Sequence, residues 1–236
     1  MGLKMACGEN PKRVYGNRGG PQTRMGNIAG FRKAFQKAYE YRRKARAYKR
    51  DLAHWAETNK TKGAKAEDPP TPPARDFGLE TLAKVLDGEI LVHNHCYRAD
   101  EMNIMMDLAN EFGFKIRSFH HALEAYKIAN RLAQEHVASS TWADWWGFKM
   151  EAYDGIPQNA AILQQAGAMA IIHSDSDTDI RHLNQEAAKA QTAGKKVGIK
   201  ISDNDALRWI TANPAWALGI EEQVGTLEKG KMADIV

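Results

Sequence analysis

His95, His121 and Asp175 each stand where an apolar run ends and a helical stretch begins. The runs are Ile90–His95, Ile116–His121 and Met169–Asp175. Two imidazole nitrogens and a carboxylate oxygen suit Zn²⁺ or a similar ion, and a catalytic site keeps one position open for water. Such an ion lowers the pKa of its water toward about 7. A neighbouring carboxylate then takes the proton, so Asp175 is placed to serve as ligand, as base, or as both. Any one of these histidines also reads as an ordinary hydrogen-bonded structural residue. Three candidates at equivalent positions of successive units are harder to explain in that way.

Strand alternation selects the three from their neighbours. It puts Leu91, His93 and His95 on one face, with Val92 and Asn94 on the other. It pairs His121 with Phe119 and turns His120 the opposite way. Asp175 shares a face with His173 and Ile171, and His173 is a candidate second-layer donor that orients a ligand. In a barrel, the inward residue nearest the C-terminal end of a strand reaches the active-site mouth.

The elements that position these residues alternate regularly. Helical patterns are expected over 79–86, 100–112, 124–134, 157–166 and 179–192. Strands are expected over 90–95, 115–119, 137–141 and 169–173. A short strand from Gly2 precedes them and runs into an irregular loop over 9–23. Strands alternating with helices of this length form a parallel sheet, closed as a (β/α)8 barrel or open and doubly wound. Ser202 followed by Asp205 is a capping signal that starts a helix to Trp209, and Asn213-Pro214 is expected to break it. Gly225–Gly230 reads as a turn into a final strand over 233–236.

The 236 residues carry a net charge of +4, with 43% hydrophobic and 26% charged residues, the profile of a globular chain. No apolar run is long enough for a membrane span. Cys7 and Cys96 are the only cysteines, which excludes a disulfide framework and a cysteine-rich zinc motif. Nothing at the N-terminus has the pattern of a signal peptide. The compartment is left as cytoplasmic by default, or secreted or periplasmic if a leader lies upstream.

Much of the positive charge lies in one helical segment over 24–59, where Phe35, Tyr39, Tyr41 and Tyr48 interleave with Lys and Arg. This reads as the solvated face of an amphipathic helix with its aromatics inward; the alternative is a nucleic-acid surface. A loop follows over 60–77, with Pro69, Pro70, Pro72 and Pro73. Tyr97 and Arg98 follow His95 directly and are candidate substrate contacts, Arg98 as a partner for a carboxylate. Glu9–Arg13 is a weaker candidate of the same kind. The aromatic segment from Trp142 to Lys149, with Trp145 at its centre, is either a substrate wall or a packing cluster under a loop.

His93–Asp100 resembles the fifth-strand segment of the amidohydrolase superfamily, in the branch related to imidazolonepropionase. His121–Tyr126 resembles the sixth-strand histidine segment, and His173–Asp177 the eighth-strand aspartate segment. Asn213–Gly219 and Gly225–Asp234 are similar to the family's C-terminal signature. The resemblance implies a partial (β/α)8 barrel over 1–222, comprising about strands four to eight. Residues 223–236 would begin a second, small β domain that is cut short. It implies one or two Zn²⁺ ions, with His95, His121 and Asp175 as ligands and Asp175 as the base. Gly2–Met5 resembles the fourth strand, so Lys4 is either the carboxylated lysine that bridges two metals in some members or an ordinary strand-end lysine.

The implied reaction is hydrolysis of an amide or cyclic-amide C–N bond in a small molecule by metal-activated water. Alternatives are a carboxypeptidase- or prolidase-like activity and an inactive truncated chain. The family's first-strand His-x-His pair has no counterpart in place, because His93 and His95 sit in the fifth-strand context. An open half-barrel would also leave the edge of its fourth strand and much apolar surface uncovered, so the chain alone is expected to be aggregation-prone or oligomeric and to lack hydrolase activity.

Overall fold

A computed structural model describes residues 1–60, 68–145 and 147–235. Five strands, β1 (Gly2–Ala6), β2 (Leu91–His95), β3 (Ile116–His120), β4 (Ala138–Thr141) and β5 (Met169–Ile172), form one sheet in sequence order. Every neighbouring pair is parallel. The helices are α1 (Glu9–Tyr15), α2 (Arg24–Asn59), α3 (Phe77–Leu86), α4 (Ala99–Phe112), α5 (Ala129–Gln134), α6 (Asn159–Gln165), α7 (Leu183–Lys196), α8 (Asp203–Arg208) and α9 (Ala212–Leu218).

The sheet has two unlike faces, and register decides which residue goes where. Met5, Val92, Phe119, Ala170 and Ile172 face the helices and join one core with Phe35 of α2, Met102, Met105 and Met106 of α4, and Leu163 of α6. This is the usual apolar layer between a parallel sheet and its crossover helices. The opposite face is polar toward the C-terminal ends. The pairings Lys4–His93–Ser118 and His95–His120–Ser140 put these residues on one face, in two successive rows that together form the histidine layer. Lower on that face, Ala138, Met169 and Ile171 pack against Trp216 and Ala217 of α9.

Most expected elements form within a residue or two of their anticipated ends. Ser202 caps α8 with a full capping box, its side chain accepting from the Asp205 backbone while Asp205 accepts from the Ser202 backbone. Three expectations need correcting. Residues 9–15 are helix rather than irregular loop: Gly8 turns the chain at φ 75°, and Pro11 occupies the first turn of α1, where no N–H is required. Pro214 likewise sits in the first turn of α9, so Asn213-Pro214 starts a helix instead of only ending one. Residues 233–235 form no strand, and Val236 lies outside the described residues.

Of the expected loop over 60–77, residues 61–67 also lie outside the described residues, 68–76 are irregular, and Phe77 already begins α3. The basic helix spans 24–59 as anticipated. Its Phe35 turns inward and stacks on Phe114 with centroids 4.3 Å apart, whereas Tyr39 is exposed. Arg32 pairs with Glu111, and Arg42 and Arg46 both pair with Asp87.

Candidate active site

Five of the eight histidines meet on the polar face, at the C-terminal ends of β2, β3 and β5. The His95 and His121 rings lie 4.6 Å apart, and the His121 and His173 rings 4.9 Å apart. Nε2 of His121 is 3.8 Å from Oδ2 of Asp175. His95, His121 and Asp175 are thus brought to one place, with His173 beside them.

Strand alternation rightly turns His120 away from Phe119, but wrongly takes the Phe119 face as the site face and carries His121 with it. Phe119 belongs to the helix-facing core, so His120, and not a residue in phase with Phe119, lies in the histidine layer. There its Nε2 is 3.0 Å from Nδ1 of His93. His121 reaches the same layer because the strand has ended: its φ is 59°, a left-handed turn that swings the ring back over the site. Asp175 does the same with φ 53°. Non-glycine residues in this region are strained and collect at functional sites. Two of the three such residues among those described are candidate ligands.

The residues after His121 are held by buried Asn159. Its amide nitrogen lies 2.9 Å from the Ala122 carbonyl, 3.1 Å from that of Leu123 and 2.9 Å from Thr141 Oγ1. Replacing Asn159 by Leu keeps the branched shape but removes the donor: the Ala122 carbonyl still accepts from the Ala125 amide, whereas the Leu123 carbonyl and Thr141 Oγ1 lose the bond from Asn159. Destabilisation of about 2–3 kcal/mol is expected, measured by denaturant unfolding.

Aromatic rings close over the histidines. Trp142 stacks on His121 at 5.0 Å and on His173 at 4.8 Å, and Tyr97 stacks on His121 at 5.5 Å. Trp145 packs on Trp142. Tyr97 and Trp145 thus belong to the aromatic cluster over the histidines, with Tyr97 itself buried. Arg98 turns to Asp100, with Nε 3.0 Å from Oδ1. Lys4 is exposed at the edge of the same layer, and its charge contributes to lowering the pKa of His93, His95, His120, His121 and His173.

Sequence reasoning gave no role to Glu101 or Glu151, and only a weak one to Asn10. Asn10 Nδ2 lies 3.1 Å from His95 Nε2. It is placed there by two buried carboxylates that hold the turn between β1 and α1. Glu101 accepts from the Gly8 amide at 3.0 Å, and Glu151 accepts from the Glu9 amide at 2.9 Å. Lys149 lies 2.9 Å from Glu151 and 4.0 Å from the centre of the Tyr97 ring, tying the aromatic segment to the same turn. The only sequence signal for this arrangement was Gly8 after a strand.

Burial keeps the cluster neutral. Desolvation, aided by the charges of Lys149 and Lys4, lowers His95 to about 4. Desolvation first, then Lys4 and neighbouring histidines, bring His120 and His173 to about 3. His121 and His93 are also lowered, chiefly by burial. The unfolded chain takes up protons near the ordinary value of 6.5, and the folded one only near 3 to 4. Stability is therefore complete above pH 6.5 and is lost as pH falls from there toward 3. Thermal unfolding of metal-free protein across this range checks the sign: the midpoint should fall steadily below that pH.

Neutral imidazoles and a carboxylate are the donor set that zinc takes, and His121 Nδ1 is buried with no hydrogen-bond partner. The donor chemistry therefore fits the ion. Among the described residues, no group of three or more His, Cys, Asp or Glu side chains is arranged to hold a metal, so the donors are close without converging on a point.

The sequence model of the amidohydrolase family matches residues 13–236. The chain belongs to the amidohydrolase family. The amidohydrolase tasK of Hapsidospora irregularis is 35% identical over 240 residues, covering 99% of this chain and 23% of its own length. The crystal structure of an amidohydrolase from Thermotoga maritima superposes with a TM-score of 0.77 at 31% identity, covering 99% of this chain and 55% of that one. A zinc-bound adenosine deaminase from Xanthomonas campestris shares the fold, with TM-score 0.50 and 20% identity over 77% of this chain and 46% of that one. This amidohydrolase chain thus spans about a quarter of its curated relative and about half of the Thermotoga protein. Its five parallel strands are a partial (β/α)8 barrel.

Proposed function

We propose that this chain carries the hydrolytic centre of a metal-dependent amidohydrolase. Its reaction is cleavage of an amide or cyclic-amide C–N bond, other than an ordinary peptide bond, in a small molecule. The observation that carries the reading is that His95, His121 and Asp175 lie side by side at the C-terminal ends of parallel strands, where barrel enzymes do their chemistry.

In this reading His95 and His121 would hold one or two zinc ions through neutral ring nitrogens, with Asp175 as a further ligand. Lys4, on the same face, is the candidate bridge if carboxylated. A bound zinc ion would polarise the scissile carbonyl and bring the pKa of water to about 7. Asp175 is exposed enough to meet substrate and close enough to His121 to accept a proton at the site and return it to the leaving nitrogen. His173 steadies the His121 ring from beside it, and Asn10 sets the plane of His95. Tyr97 and Trp142 exclude bulk water from the histidines, which strengthens every charge interaction there.

The test is metal content followed by turnover. Zinc-loaded protein is expected to retain about one ion per chain through desalting. A chelator should release it, and a folded His95→Ala/His121→Ala variant should not hold it. Release of amine or ammonia from amide substrates should follow the zinc, against the expectation of an inactive chain drawn from the sequence. Protein that keeps no zinc, or a double variant that keeps as much as the parent, sinks the reading.

A further inference from the structure

Two buried polar atoms that lack partners border one cavity beside the histidines. The cavity measures about 190 Å³ and is lined by Trp142, Trp145, His173, Asp179, Glu186 and Lys189 among others. Glu186 is only 8% exposed. Its Oε2 and the Nε2 of His173 both lack a hydrogen-bond partner among the described residues. Buried polar atoms in native proteins are nearly always satisfied, and two exceptions on one cavity mark a place where something else supplies the donors.

The lining specifies what that is. An ionised carboxylate only accepts, so Glu186 Oε2 asks for an N–H or O–H. Trp142 spends its own N–H on the Ser174 carbonyl at 2.9 Å, so the indole presents its ring to the cavity and no donor. Trp145 lies 6.2 Å from it, with the ring planes 26° apart, and extends the aromatic surface. Lys189 does not cancel the acidic character. Its Nζ is shared between Asp144 at 2.8 Å and Glu186 Oε1 at 2.6 Å, and Asp179 adds a further negative charge on the wall. Aromatic faces beside a carboxylate oxygen that Lys189 leaves free, with Asp144 and Asp179 outnumbering that one lysine, favour a flat cation over a neutral or anionic group.

We propose that this cavity is a subsite for a small planar organic cation of the guanidinium or amidinium class, held by Glu186 Oε2, His173 Nε2 and the faces of Trp142 and Trp145. It rests on the reading of this face as the substrate-binding face, and gives that substrate a cationic end reaching from the histidines toward α7. Glu186, from the first turn of α7, is then the residue that selects for charge.

Methylguanidinium and N-methylurea have the same shape and differ in charge, and titration calorimetry of each into the whole chain reads the preference. Methylguanidinium should bind about tenfold more tightly, the scale of one charge-assisted hydrogen bond. Glu186→Gln should abolish that preference, with circular dichroism showing the fold intact. Trp145→Leu, at the partly exposed rim, should weaken methylguanidinium and leave the carboxylate untouched. Equal binding of the two probes overturns the proposal, as does a preference that survives Glu186→Gln. If Glu186→Gln does not fold, Trp145→Leu decides, and unchanged affinity there overturns it. Binding is read without turnover, so a chain that selects methylguanidinium but holds no zinc refutes the hydrolytic reading alone. One that hydrolyses amides without preferring the cation refutes only the subsite.

Discussion

Asp175→Asn in zinc-loaded enzyme is expected to lower kcat for amide hydrolysis by about 10²–10⁴-fold, the range for loss of a positioned acid–base group. Asn keeps the size of the side chain and a carbonyl oxygen but cannot take up a proton. The left-handed backbone at φ 53° is one that Asn tolerates as well as Asp, so the fold should be undisturbed. Nε2 of His121 is 3.8 Å away, and burial holds that imidazole neutral, so no ion pair is lost in the exchange. The measurement is kcat and KM side by side, with zinc content determined on the same samples. A large fall in kcat with zinc retained assigns the proton to Asp175. A fall that tracks zinc loss makes it a ligand only, and full activity removes it from the mechanism.

Gly8→Ala is expected to destabilise the chain by about 3–5 kcal/mol, through strain and steric conflict together. Gly8 sits at φ 75° and ψ −138°, a combination that L-residues with a Cβ avoid. A methyl group there would lie 2.4 Å from Glu151 Oε2. That carboxylate cannot easily retreat, because it is buried, accepts from the Glu9 amide and lies beside Lys149. Gly19→Ala is the control: φ is 79° there too, but nothing lies within 4 Å of the added carbon. It should cost only about 1–2 kcal/mol for the left-handed backbone. Denaturant midpoints of the two variants separate the terms. Because the same turn carries Asn10 to His95, Gly8→Ala should also disturb the His95 environment, read as a shift of its ring signals by NMR.

The regular part of this architecture was legible because period and punctuation agree. Runs such as 90–95 and 169–173 are apolar and bounded by turn residues, and Ser202 and Asp205 form the cap their spacing announces. α1 was missed because Pro11 and nearby glycines look like loop chemistry, although a proline in a first turn costs nothing. The placing of His121 failed for a different reason. Alternation does set His120 opposite Phe119, but it holds only while a strand continues, and β3 ends at His120, so it could not orient His121.

From the chain's own residues came the three chemical groups, their order, and the strand-to-helix junctions that carry them, since local periodicity and residue type determine these. Folding decided the rest. Pairing of β2 with β3 brought His120 beside His93, and two left-handed residues turned His121 and Asp175 over one spot. Long-range carboxylate contacts from Glu101 and Glu151 fixed the turn that sets Asn10 against His95. Desolvation then made the histidines neutral. Each of these depends on atoms far apart in sequence, and burial, register and φ sign at a strand end are properties that no local pattern of residue types encodes.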